Sequence, residues 1–130
     1  EGNVEIVLTS DTQVFETVED FEEANLFPSV VLPHDFFAEH PIKMITVYDY
    51  GDETEATFTF KDKQLYLSVT SEGYFSHSPS NTINIGGYDV VITDYEGVFQ
   101  AEFQHDKYLY LVNAPSIGTL TEIIKDMKEK

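Results

Sequence analysis

The sequence predicts an α+β domain: a curved antiparallel sheet of about six or seven strands meandering in chain order, one helix before it and one C-terminal helix. Three observations carry this reading. Apolar and polar residues alternate with period two through most of residues 42–112, the pattern of strands with two unlike faces. Tight turns such as Asp52–Thr54, Asp62-Lys63 and Glu96-Gly97 join these runs, and parallel neighbours would need long crossovers instead. A segment near each end switches to helical spacing.

The first helix starts at Thr17, which forms a capping box with Asp20. Glu19, Asp20, Glu22 and Glu23 crowd its positive N-terminal end, and Pro28 stops it. Pro33 and Pro41 bracket His34, Asp35 and His40, and proline disfavours helix in the residue before it, so this segment is expected to be extended. Residues 42–50, rich in Ile, Val and Tyr, form the first strand. Ala56, Phe58 and Phe60 then alternate with threonines, and Leu65, Leu67 and Val69 with Gln64, Tyr66 and Ser68. Ser71–Asn81, with Gly73, His77 and Pro79, is the long loop.

Ile83 and Ile85 lead through Gly86-Gly87 into Tyr88, Val90 and Ile92, a hairpin whose glycines tolerate positive φ. Phe99, Ala101 and Phe103 form a further strand, and Lys107–Val112 returns beside it. In the last helix Thr119 caps and Glu122 reaches back. Leu120, Ile123, Ile124 and Met127 make one apolar stripe for docking on the sheet, and Lys125 and Lys128 sit near its negative end.

At 130 residues and 14.8 kDa the chain is a single domain over 1–130. Its net charge of −17 comes from 24 acids and seven lysines, with no arginine. Nucleic acid and anionic membrane surfaces are excluded as partners, because phosphates require clustered cations. Residues 1–42 hold ten acids and no lysine, a solvated face that could also dock on something basic. Without cysteine there is no disulfide, thiol nucleophile or thiolate zinc site. No apolar run approaches the roughly 20 residues of a membrane span, so this segment does not itself insert in a bilayer. The chain opens at Glu1 rather than Met, which reads as a piece of a longer protein whose anchor lies elsewhere.

No nucleophile elbow, P-loop or dinucleotide fingerprint is present. His34, His40, His77 and His105 stand in no metal-ligand spacing and read as exposed loop histidines. Asp49, Asp52, Glu53 and Glu55 surround Gly51 without an EF-hand pattern, so a solvated turn is expected there rather than a calcium site. No catalytic, cofactor-binding or metal-binding residue is therefore assigned, and no enzymatic activity is expected. The distinctive feature is tyrosine. Tyr48, Tyr50, Tyr66, Tyr108 and Tyr110 fall out of step with the aliphatic faces, forming either a candidate interaction patch or a face covered by other parts of the chain. Tyr66 and Tyr110 are expected on neighbouring strands or near each other on one sheet surface, with rings at least partly accessible.

Four stretches taken together carry a resemblance. They are Phe27-Pro28 through Val31-Leu32-Pro33-His34-Asp35-Phe36, the hairpin Ile83-Asn84-Ile85-Gly86-Gly87-Tyr88, the strands Phe99–Phe103 and Tyr108–Val112, and the closing Leu120-Thr121-Glu122-Ile123-Ile124-Lys125. In this order, over roughly residues 15–130, they resemble an extracytoplasmic domain of unknown function. That domain stands at the C-terminus of many Gram-positive membrane-anchored proteins, including anti-sigma-factor-like regulators and lipoproteins. The family often carries a tryptophan where Phe103 or its neighbours stand here, and it offers no catalytic or ligand residues to carry over. The resemblance implies a position outside the cytoplasm behind an N-terminal anchor. The expected function is then non-enzymatic sensing or protein interaction with an unknown protein partner. The alternative is a binder of a small apolar ligand or lipid in a cavity of the curved sheet, and no cofactor is expected in either case.

Overall fold

The computed structural model describes residues 11–71 and 81–129. Its elements run β1 (Asp11–Phe15), α1 (Val18–Ala24), β2 (Leu32–Pro33), α2 (His34–Glu39), β3 (Ile42–Asp49), β4 (Thr54–Phe60) and β5 (Tyr66–Ser71). Then come β6 (Ile83–Ile85), β7 (Tyr88–Tyr95), β8 (Val98–His105), β9 (Tyr108–Ala114), α3 (Ile117–Lys125) and β10 (Met127–Lys128).

The α+β class and antiparallel sheet hold, but the sheet is larger than expected, with eight strands in the order β1-β3-β4-β5-β9-β8-β7-β6. It is two meanders rather than one. β3-β4-β5 runs outward to the centre, β6-β7-β8-β9 runs inward from the far edge, and β5 pairs with β9 where they meet, Val69 opposite Tyr110. β1 adds an edge strand beside β3, with Val14 opposite Thr46. β2 and β10 form a separate two-stranded ribbon.

The helices differ in detail. α1 is capped as expected, Thr17 Oγ1 accepting the Asp20 N–H at 3.1 Å, but it closes at Asn25 in the left-handed region before Pro28 is reached. The segment between Pro33 and Pro41 is helical, not extended. A proline restrains only its immediate predecessor: His40 has left helical geometry, while the residues before it are free to turn and bury Phe36 and Phe37. α3 starts one turn earlier than expected. Ser116, not Thr119, is the cap, and its Oγ accepts the Thr119 N–H at 3.1 Å.

The Gly86-Gly87 hairpin forms with φ of 61° and 96°, the doubly positive geometry of a tight two-residue turn. The Ser71–Asn81 loop, with His77, falls almost wholly outside the described residues.

One face of the sheet is core. Ile45, Val47, Ala56, Phe58, Leu67, Val69, Ala101, Phe103, Tyr110 and Val112 point into it and are buried. α1 and α2 close over it through aromatic contacts, Phe21 edge-on to Phe58 at 5.2 Å and Phe37 stacked on Phe58 at 5.7 Å. α3 buries Leu120, Ile123 and Ile124 of the expected stripe and lies against β8 and β9. It ends at Lys125, so Met127 is buried from β10 and Lys128 is in that strand rather than in the helix.

Candidate functional site

Strand alternation and register place the opposite, outer face residue by residue. Three cross-strand rows define it: Thr12-Tyr48-Glu55-Thr70-Leu109-Gln104, Val14-Thr46-Thr57-Ser68-Leu111-Glu102-Val91, and Met44-Thr59-Tyr66-Asn113-Gln100-Thr93. Successive side chains in a strand point to opposite faces, so each row is the outward complement of the core.

Tyr48 and Tyr50 stack at 6.1 Å with ring planes 17° apart, and they are 36% and 57% exposed. The Tyr50 hydroxyl donates to Glu55 Oε1 at 3.4 Å. Desolvation and the Glu55 carboxylate both push the Tyr50 phenol above its ordinary value. Tyr66, half-buried, stands opposite Asn113. The two line a recess of about 250 Å³ with Lys63, Gln64, Val98 and Pro115. Asn113 Oδ1 is buried there with no hydrogen-bond partner among the described residues, an acceptor that a donor group entering the recess would satisfy. Leu109 and Leu111 are half-buried on the same face, and Val14 is exposed on the edge strand.

Tyr108 and Tyr110 do not belong to this face. They are 1% and 0% exposed, and they point into the core from β9. Tyr110 stacks flat on Phe103 at 4.8 Å, and its hydroxyl accepts the Val31 N–H at 2.9 Å. The Tyr108 hydroxyl donates to the Pro28 carbonyl at 2.6 Å. Burial pushes both phenols up, Tyr110 the further. The expectation that Tyr66 and Tyr110 share an accessible surface is therefore corrected. They lie on adjacent strands but on opposite faces, because Tyr66 pairs with Asn113 and Tyr110 with Val69. Of the five candidate tyrosines, Tyr48, Tyr50 and Tyr66 remain outside: the first two stack as a pair, while Tyr66 stands apart from them, four residues along β5 from Thr70 in the row of Tyr48.

The inner face is filled by the side chains named above. A cleft of about 440 Å³ lies instead between α1, α2 and the start of β3. Val18, Phe37, Pro41 and Ile42 give it apolar walls, while Glu16, Glu19 and His34 make it partly polar.

The described histidines are not free loop residues. His34 Nε2 lies 2.7 Å from Glu22 Oε2, joining α1 to α2. His40 stacks on Phe36, and His105 sits edge-on to Tyr88 at 5.5 Å. In the acidic turn Asp49 Oδ1 accepts the Gly51 N–H at 2.9 Å, so part of its oxygen set already serves the turn. None of the described helices is long and apolar enough to cross a membrane. No family model, no curated protein and no solved structure matches the chain.

Proposed function

We propose that this domain is a non-enzymatic protein-interaction or sensing module. It works outside the cytoplasm as part of a longer membrane-anchored protein, and it receives a basic protein surface on the outer face of its sheet. One observation carries the reading: every described helix packs on the inner face, while the outer face presents Tyr48, Tyr50 and Tyr66 with nothing described above them. Tyrosine supplies large, rigid contact area with one polar handle at small entropic cost, which suits recognition. The net charge of −17 selects the sign of the partner. The extracytoplasmic setting and the anchor rest on the family resemblance. A filled inner face favours this reading over an apolar ligand held beneath the helices, since such ligands need a concave, mostly apolar pocket.

The test is capture of a partner from membranes of the source cell, with the domain as bait. The Tyr48→Ser, Tyr50→Ser double variant should melt like the parent and lose most of the captured protein, because aromatic anchors carry a disproportionate share of interface energy. Raised salt should weaken capture. Undiminished capture by the double variant, or a lipid that copurifies with the pure domain, would overturn the proposal.

A further inference from the structure

The groove between α2 and α3 gathers side chains that are far apart in the chain. Glu39 ends α2, His40 caps it, and Glu122 stands on α3. One ligand atom from each lies within 4.8 Å of the other two, the only such convergence of three acidic or histidine groups among the described residues. The imidazole is held in place. It stacks on Phe36 at 4.2 Å with planes 19° apart, and the His40 backbone N–H donates to the Phe36 carbonyl at 2.8 Å. Phe36 is itself buried, and its N–H donates to Asp126 Oδ2 at 2.8 Å, locking α2 to the C-terminal cap of α3. Neither Glu39 nor Glu122 has an ion-pair partner among the described residues, although Lys125 lines the adjoining cleft of about 310 Å³. Two carboxylates are thus brought beside a fixed imidazole with no protein cation between them.

We infer that Glu39, His40 and Glu122 bind a divalent transition-metal ion of the zinc class. One imidazole nitrogen with carboxylate oxygens suits zinc, cobalt or nickel. Calcium and magnesium prefer all-oxygen shells of six or more ligands. Bonds of about 2.0–2.2 Å place the ligand atoms of a tetrahedral site about 3.4 Å apart. Closing from 4.8 Å needs little more than rotamer adjustment in Glu39 and Glu122, both exposed, while His40 stays fixed. Three protein ligands leave a coordination position for water or for an anionic group, the arrangement of sites that accept a ligand rather than purely structural ones. The acidic surface raises the local concentration of cations. The inference is independent of the outer face, which lies across the sheet from these helices.

The experiment is calorimetric titration of the untagged chain with zinc chloride, repeated with cobalt chloride to read the visible absorption bands of the bound ion. One saturable site per chain, a raised melting temperature and cobalt bands of low-coordinate character are expected. His40→Ala and Glu122→Gln should each weaken zinc binding by roughly tenfold or more, at least the loss seen when only a supporting partner is removed. His34→Ala and His105→Ala should leave it unchanged. Glu122→Gln, at an exposed helix position, keeps the fold intact even if losing the His40 stack does not. Absence of saturable binding below about millimolar zinc, or binding that survives Glu122→Gln and His40→Ala unaltered, would assign any bound ion to scattered surface carboxylates and end the proposal.

Discussion

Replacing Tyr110 by phenylalanine removes one oxygen from the core and leaves everything else in place. The ring keeps its full burial and its flat stack on Phe103 at 4.8 Å, so the hydrophobic contribution hardly changes. What is lost is the acceptor for the Val31 N–H, now at 2.9 Å in a buried position. A buried donor left without a partner costs about 1–3 kcal/mol, and about 2 kcal/mol is the working value. For a chain of 130 residues, an unfolding entropy near 2.1 cal/mol/K per residue amounts to about 0.27 kcal/mol/K, so the melting temperature should fall by about 7 °C. Urea unfolding should show a lower midpoint with unchanged slope, since the surface exposed on unfolding is the same. Tyr48→Phe is the control, because its side chain is on the surface and the change should stay within about 0.5 kcal/mol. A Tyr110→Phe protein melting within a degree or two of the parent would show that the hydroxyl does not carry the Val31 amide, and the assignment of Tyr110 to the core would lose its main support.

Two further predictions concern the frame. Ser116→Ala should destabilise by about 1 kcal/mol through loss of the α3 cap, whereas Thr119→Ala should cost less; equal losses in thermal melts, or the reverse order, would restore Thr119 as the cap. Above pH 10 the domain should lose stability. Tyr88, Tyr108 and Tyr110 are raised by burial above the ordinary 10.0, so below that value both states hold their protons and the contribution is complete. As pH rises further the unfolded chain releases protons first, and stability drains away through the folded-state values. Urea midpoints that stay flat from about pH 9 to about pH 11 would contradict the burial of these phenols.

Local rules carried much of the fold. The Thr17 cap, the alternating strands, the double-glycine turn and the apolar stripe of α3 each depend on residues within a few positions of one another, and all were legible in the sequence. Other features are set by distant contacts. β9 opens Tyr-Leu-Tyr-Leu-Val, apolar at its first five positions, so period two does not say which face is core. The choice was made by partners about eighty residues away: Pro28 and Val31 supply hydrogen bonds that only tyrosines can meet, so the leucines take the outer face. α2 leaves little local signal because Pro41 restrains only His40, and the six residues before His40 turn helical to bury Phe36 and Phe37. β1 has only Val14 and Phe15 to mark it, and its strand character comes from pairing with β3. The Glu39–His40–Glu122 convergence joins two helices through tertiary packing, so no spacing rule could have found it.

The seam between β5 and β9 sets the order in which the domain can be completed during synthesis. The first meander closes through short connections as soon as β5 emerges, but the partner of β5 lies about forty residues downstream, and closing a loop of that length is slow compared with forming a hairpin. Through that interval β5 is an open edge with the apolar Leu67 and Val69 along one face, a template for wrong pairing between nascent chains. In the finished domain that edge is sealed at the centre of the sheet. Its exposure belongs only to the half-made protein, where aggregation is decided by how soon β9 arrives.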